Sequence, residues 1–152
     1  ENGSEHPLAN AIKEKATKTY EAVNVKEIAG RGVIAEVDGK KVQVGNFKPK
    51  DFEDACNMLR LMSGKKHSVV TGVTIHTKEK TKTFSAISKV SFEVLDEDEI
   101  NYYVSMYKPF DKAGSYGIQE WIGYVGVKSV EGSYFNVMGL PTQKLYQILK
   151  RF

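Results

Sequence analysis

Apolar positions near the start of the chain first repeat at helical spacing and then alternate. Ser4 is a good N-cap, and the apolar spacing after it predicts a helix that ends at about Lys18. Alternating apolar residues over positions 25–44 then predict strands. Asp38-Gly39 predicts the tight turn of a hairpin, because such turns need residues that accept positive φ. We therefore predict a helix, a strand and a hairpin in this part of the chain.

Further helices and strands are predicted in the remaining residues. Asp51 can cap a second helix, which ends at Gly64, and Asp96 with Glu99 resembles the capping box of a third helix. Pro141 suits the first turn of a C-terminal helix. The predicted strands cover residues 69–77, 82–92 and 121–130. These elements predict the α+β class: a single domain over residues 1–152, with a mostly antiparallel mixed sheet built from helix and β-hairpin units, and with flanking helices.

Composition excludes some classes of function. The chain has 41% apolar and 27% charged residues, and it has no apolar run of the roughly 20 residues that a membrane helix requires. Net charge is +3, and basic runs such as Lys65-Lys66 are short, so we expect neither a membrane nor a nucleic acid as partner. The lone Cys56 is predicted to be a small buried residue. No signal peptide or initiating Met is present, so we expect an excised or tagged cytoplasmic protein.

Residues 1–46 contain three short motifs: Ser4-Glu5-His6-Pro7-Leu8-Ala9, Gly30-Arg31-Gly32-Val33 and Val44-Gly45-Asn46. Together they resemble the nucleotide-binding domain of heavy-metal-transporting P-type ATPases. The resemblance implies an ATP pocket in which Glu1 and His6 contact the adenine. The phosphates and ribose would lie beside Gly30, Gly32, Gly45 and Asn46.

The same residues have simpler interpretations. A histidine near a helix start is commonly a surface or cap residue, and the Gly30-x-Gly32 pair could form a bulge at the entry to a strand. Asp111-Lys112-Ala113-Gly114 superficially resembles the phosphorylation motif of these ATPases, but its neighbours belong to a different pattern. We therefore expect no phospho-aspartate.

Residues 47–152 contain a second set of motifs: Lys48-Pro49-Lys50-Asp51, Thr71-Gly72-Val73, Asp111-Lys112-Ala113-Gly114 with Tyr116-Gly117-Ile118-Gln119, and Asn136-Val137-Met138-Gly139-Leu140-Pro141. Together they resemble the C-terminal half of Maf-family nucleotide pyrophosphatases. The resemblance implies metal-dependent hydrolysis of nucleoside triphosphates to monophosphates and pyrophosphate. Lys48, Lys112 and Gln119 match positions in that family's cleft. As alternatives, Lys48 could be a solvated loop residue and Gln119 a strand-edge amide.

Two motifs of the Maf family, Ser-x-Ser-x-Arg-Arg and Ala-Asp-Thr, do not occur in this sequence. Metal-assisted hydrolysis needs a carboxylate, so we expect hydrolysis to be lost or very slow. Our leading hypothesis is an engineered or recombined chimera with no catalytic residue and no metal site, which retains weak binding of ATP with Mg²⁺. The alternative is a Maf-like pyrophosphatase with residual metal-dependent activity. Unpaired strand edges also suggest a homodimer.

Overall fold

The computed structural model describes residues 21–28 and 32–152. The predicted first helix therefore lies outside the described residues, as do Glu1, His6 and Gly30. The first described strands form an antiparallel sheet in the order β1-β2-β3. Their bounds are Ala22–Ile28, Gly32–Val37 and Lys40–Gly45. Asp38 and Gly39, with φ of 51° and 70°, form the hairpin turn between β2 and β3, as predicted.

Helix α1 (Phe52–Met62) confirms the second predicted helix. Asp51 caps it, because its side chain accepts the Asp54 N–H at 2.8 Å. Gly64, with a φ of 66°, lies just beyond the helix and allows the chain to turn into the next strand. Strands β4 (Lys66–His76) and β5 (Thr81–Phe92) then pair antiparallel along their whole length.

Helix α2 (Glu97–Tyr107) begins at the predicted capping box. The Asp96 side chain accepts the Glu99 N–H at 2.8 Å, and the Glu99 side chain accepts the Asp96 N–H at 2.9 Å. Because the capping box sets where the helix begins, Ile100 and Tyr103 face the core, and both are buried.

The strand predicted over residues 121–130 is wrong in its first half. Residues Trp121–Val125 form a short helix, α3, and strand β6 is limited to Val127–Glu131, where it pairs with β5. Tertiary packing overrides the strand preference of these residues, because the helical turn buries Ile122 completely. Gly123 permits that turn, since a Cβ there would lie 1.8 Å from the Ile118 carbonyl oxygen.

Two helices complete the chain. They are α4 (Tyr134–Met138), which was not predicted, and α5 (Thr142–Leu149), which follows Pro141 as predicted. The core joins α1, α2, α3 and β5, and Cys56 is buried within it, as expected. The α+β class with antiparallel sheets and flanking helices is confirmed, although the described strands form two three-stranded sheets. None of the helices in the described ranges is long and apolar enough to cross a membrane.

Candidate functional site

Two chain segments meet at the end of helix α2. One is the connection between β3 and α1, and the other is the loop over residues 108–120, which contains a 3-10 turn at Ala113–Ser115. The Gly114 N–H donates to the Phe47 carbonyl at 2.9 Å. Gly114 adopts a φ of 70°, a conformation that favours glycine, so the loop can bend toward the first segment here. This contact brings the region of Lys48 beside the loop that carries Lys112.

Lys112 lies between two carboxylates. Its Nζ is 3.0 Å from Asp111 Oδ1 and 3.1 Å from Glu120 Oε1. The hydrogen bond from Lys112 holds the pKa of Asp111 below its usual value, and the charge of Lys48 contributes in the same direction. The hydrogen bond to Asp111 in turn raises the pKa of Lys112, so this side chain is cationic at neutral pH. The site therefore contains two cations and two anions within a short stretch of surface.

The Tyr103 hydroxyl forms a hydrogen bond to the Glu120 carboxylate. This tyrosine is fully buried on α2, and its hydroxyl donates to Glu120 Oε2 while accepting the Gly117 N–H at 3.0 Å. Burial and the bond to Glu120 both raise the pKa of Tyr103, so the hydroxyl keeps its proton. A Cβ on Gly117 would lie 2.8 Å from Glu120 Cδ and 3.1 Å from Lys112 Cε. The absence of a side chain at this position lets the backbone approach the ion pair closely.

The loop is also anchored to strand β4. The Tyr116 hydroxyl lies 2.9 Å from His67 Nε2, and the Tyr116 ring packs edge-on against His67 and Phe92. Burial lowers the pKa of His67, so the imidazole is neutral at pH 7. Ser115 is fully buried beside Tyr116 with a φ of 62°, and its Oγ has no hydrogen-bond partner within the described ranges. Aromatic packing and hydrogen bonding therefore fix the base of the loop.

The three residues predicted for a Maf-like cleft lie on these two segments. Lys48 is exposed on the first segment, while Lys112 and the exposed Gln119 are on the loop. Tyr103 and Glu120 were missed as site residues. The sequence offered one signal for Tyr103, since a tyrosine on a buried helical stripe needs a hydrogen-bond partner for its hydroxyl.

Of the predicted ATP-pocket residues, only Gly32, Gly45 and Asn46 lie in the described ranges. Gly32 and Gly45 are opposite each other in the β2–β3 pair, with φ of 134° and 154°. These backbone conformations favour glycine without any ligand. Asn46 is exposed immediately after β3.

The described residues do not fit a resident divalent metal. No group of three or more His, Cys, Asp or Glu side chains converges within residues 21–28 and 32–152. The two site carboxylates, Asp111 and Glu120, already bind the Lys112 ammonium. Magnesium sites typically need carboxylates available for the ion, so these residues alone would provide a poor one.

Comparison with known proteins gives a family match over nearly the whole chain. The model of the family described as "Maf-like protein" matches residues 3–152. A dTTP/UTP pyrophosphatase from Bacteroides fragilis (strain YCH46) is 51% identical over 150 residues, which cover 98% of this chain and 75% of that protein. A dTTP/UTP pyrophosphatase from Bacteroides thetaiotaomicron is 56% identical over 118 residues, covering 78% of this chain and 59% of that protein.

These matches correct the chimera hypothesis. The family match begins at residue 3 and continues through residue 46, so the predicted change of family near Asn46 is wrong. The P-type ATPase assignment and the ATP pocket derived from it have no support in these matches. Short glycine motifs misled the prediction, because turns and strand ends require glycine in many unrelated folds, as Gly32 and Gly45 illustrate. The chain belongs to the Maf-like protein family.

Proposed function

We propose that this protein hydrolyses nucleoside triphosphates to nucleoside monophosphates and pyrophosphate, with dTTP and UTP as preferred substrates. The main support is the 51% identity to a dTTP/UTP pyrophosphatase across 98% of this chain. The site around Lys112 adds a chemical reason, because it combines one fixed cation with hydrogen-bonding groups on the same loop. The non-enzymatic chimera is thereby replaced by the alternative interpretation of the sequence.

The reaction requires stabilisation of negative charge. Water attacks the α-phosphorus, the bond from that phosphorus to the bridging oxygen breaks, and pyrophosphate leaves with the electron pair of that bond. Lys112 and Lys48 can offset the charge on the phosphate oxygens, since ammonium groups bind phosphate as point charges. Gln119, exposed on the same loop as Lys112, can donate and accept hydrogen bonds to orient a base or a water molecule.

Asp111 is a poor candidate for the base that activates water. It is paired with Lys112 at 3.0 Å, and this cation holds the pKa of Asp111 below its usual value.

A nucleotide panel tests the proposed activity. The protein is incubated with dTTP, UTP, dCTP, dATP and dGTP in buffer with Mg²⁺, and monophosphate and pyrophosphate are quantified by chromatography. We expect equal amounts of the two products, and faster release from dTTP and UTP than from the purine nucleotides. Release of inorganic phosphate and diphosphate nucleotide instead would contradict cleavage at the α-phosphorus.

Lys112→Gln is the variant for this assay, and Lys128→Gln is its matched control. Both substitutions remove one ion-paired lysine charge, but Lys128 pairs with Glu93 at 3.0 Å on strand β6, outside the candidate site. We expect Lys112→Gln to lose at least about tenfold in kcat/KM, as for loss of one charge-assisted contact. Equal activity in the two variants, or no turnover by the unaltered protein, would refute the assignment.

A further inference from the structure

The two carboxylates that contact Lys112 differ in how firmly they are held. The Glu120 side chain is 20% exposed and is bound by the buried Tyr103 hydroxyl. The Asp111 side chain is 76% exposed and sits next to Lys112 in the chain. Both lie at nearly the same distance from the ammonium, at 3.1 and 3.0 Å. One carboxylate is therefore fixed by the fold, while the other is open to replacement by a solvent anion.

Donor counting shows why this difference matters. A lysine ammonium has three N–H donors, and Glu120 and Asp111 can take two of them. Lys112 is itself only 23% exposed, so few directions remain from which a phosphate could approach. An exposed carboxylate and a phosphate oxygen are both anionic acceptors, and each can occupy the same donor.

We propose that Glu120, held by Tyr103, positions the Lys112 ammonium for a nucleotide phosphate, and that Asp111 occupies the phosphate's place until a nucleotide displaces it. This division of roles rests on the proposed pyrophosphatase function. Glu120 and Tyr103 are positioning residues that act through Lys112. Asp111 acts as a competing counterion, which reduces the affinity of the empty site for anions.

A purely electrostatic role and the proposed positioning role predict opposite changes in the anion affinity of Glu120→Gln. Removing any carboxylate near a phosphate site reduces repulsion, so a purely electrostatic role would make Glu120→Gln bind anions more tightly. Loss of positioning would make it bind more weakly. Glutamine cannot replace the carboxylate as acceptor for both partners, because Lys112 and Tyr103 each donate to it. Tyr103→Phe is a second probe, since it removes one hydroxyl and changes no charge.

Titration calorimetry with inorganic pyrophosphate tests these roles independently of turnover. The unaltered full chain is compared with Tyr103→Phe, Glu120→Gln and Asp111→Asn. Glu131→Gln is the matched control, because Glu131 pairs with Lys66 and Lys89 on the exposed face of the second sheet. We expect about tenfold weaker binding for the first two variants, as for a lost hydrogen bond to a charged group. Asp111→Asn should bind severalfold more tightly, and the control should match the unaltered protein.

Near-ultraviolet circular dichroism of each variant verifies the fold before titration. If Tyr103→Phe fails to fold, the pyrophosphate affinity of Glu120→Gln still distinguishes the two roles. A positioning role predicts weaker binding by this variant, and a purely electrostatic role predicts tighter binding. Tighter binding by Glu120→Gln, unchanged binding by a folded Tyr103→Phe, or weaker binding by Asp111→Asn would each overturn the proposed roles. If the unaltered protein releases pyrophosphate from dTTP, such results overturn the roles alone. If it neither binds nor releases pyrophosphate, the proposed function fails as well.

Discussion

Asn136 provides a quantitative test of the packing that supports the second sheet. It is fully buried on α4, and its Nδ2 donates to the Val69 carbonyl at 3.2 Å and to Ser88 Oγ at 3.1 Å. Ser88 Oγ in turn donates to the Ser133 carbonyl at 2.9 Å. One amide therefore ties α4 to both β4 and β5.

Asn136→Asp keeps the shape of this side chain but replaces the donor with an oxygen that faces the Val69 carbonyl. A fully buried carboxyl can have its pKa raised by up to about 3–5 units, and each unit corresponds to about 1.36 kcal/mol. At pH 7, which is about 3 units above the unfolded pKa of about 3.9, the ionisation penalty is limited to about 4 kcal/mol, and the lost hydrogen bonds add about 1–2 kcal/mol. Asn136→Ala should lose only about 2–4 kcal/mol, from two hydrogen bonds and one buried acceptor left unpaired.

The difference in unfolding free energy between Asn136→Asp and Asn136→Ala should become smaller as pH falls. Because burial raises the folded-state pKa of the introduced carboxyl, its penalty is complete above that pKa and declines as pH falls toward the unfolded value of about 3.9. Urea unfolding of both variants at pH 7 and pH 5 measures the difference while cancelling the titration of all other groups. An aspartate variant as stable as the alanine variant at pH 7, or a difference that does not narrow at pH 5, would refute the reasoning.

Three further predictions concern helix α3, the buried histidine and the thiol. Gly123→Ala should lower the thermal midpoint by many degrees in a melting experiment, because its Cβ would clash with the backbone oxygen of Ile118 at 1.8 Å. Since burial lowers the folded-state pKa of His67, its contribution to stability should be complete above pH 6.5 and decline below it. Urea midpoints of His67→Phe should show a smaller loss between pH 7 and pH 5 than those of the unaltered protein. Burial also raises the pKa of Cys56, so a thiol reagent should react slowly in buffer and rapidly in urea, whereas equal rates would contradict the buried position.

Local sequence signals were reliable where the physical cause is local. The Asp38-Gly39 turn, the Asp51 cap and the Asp96 capping box all act through residues within a few positions of each other. The same holds for the alternating pattern that specified the hairpin of β4 and β5. Such elements can be predicted because their stabilising contacts lie within the segment itself.

The short motifs of residues 1–46 were unreliable as evidence of family. The chimera hypothesis depended on glycines and a few polar residues, whereas the family match uses the pattern of residues 3–152 as a whole. Gly32 and Gly45 satisfy backbone conformations at facing strand ends, a requirement shared by many folds. A motif of this length therefore constrains local geometry more strongly than it identifies ancestry.

The sequence by itself determined the α+β class and most helix starts, whereas Lys48 and Lys112 as site residues stay a prediction. Only the tertiary structure decided that residues 121–125 form a helix, since burial of Ile122 outweighs the strand preference of that segment. It also decided the arrangement of Tyr103, Glu120 and Lys112, which come from a helix and a loop. No periodic pattern encodes that arrangement, because hydrogen bonds between distant residues depend on how the intervening chain folds back.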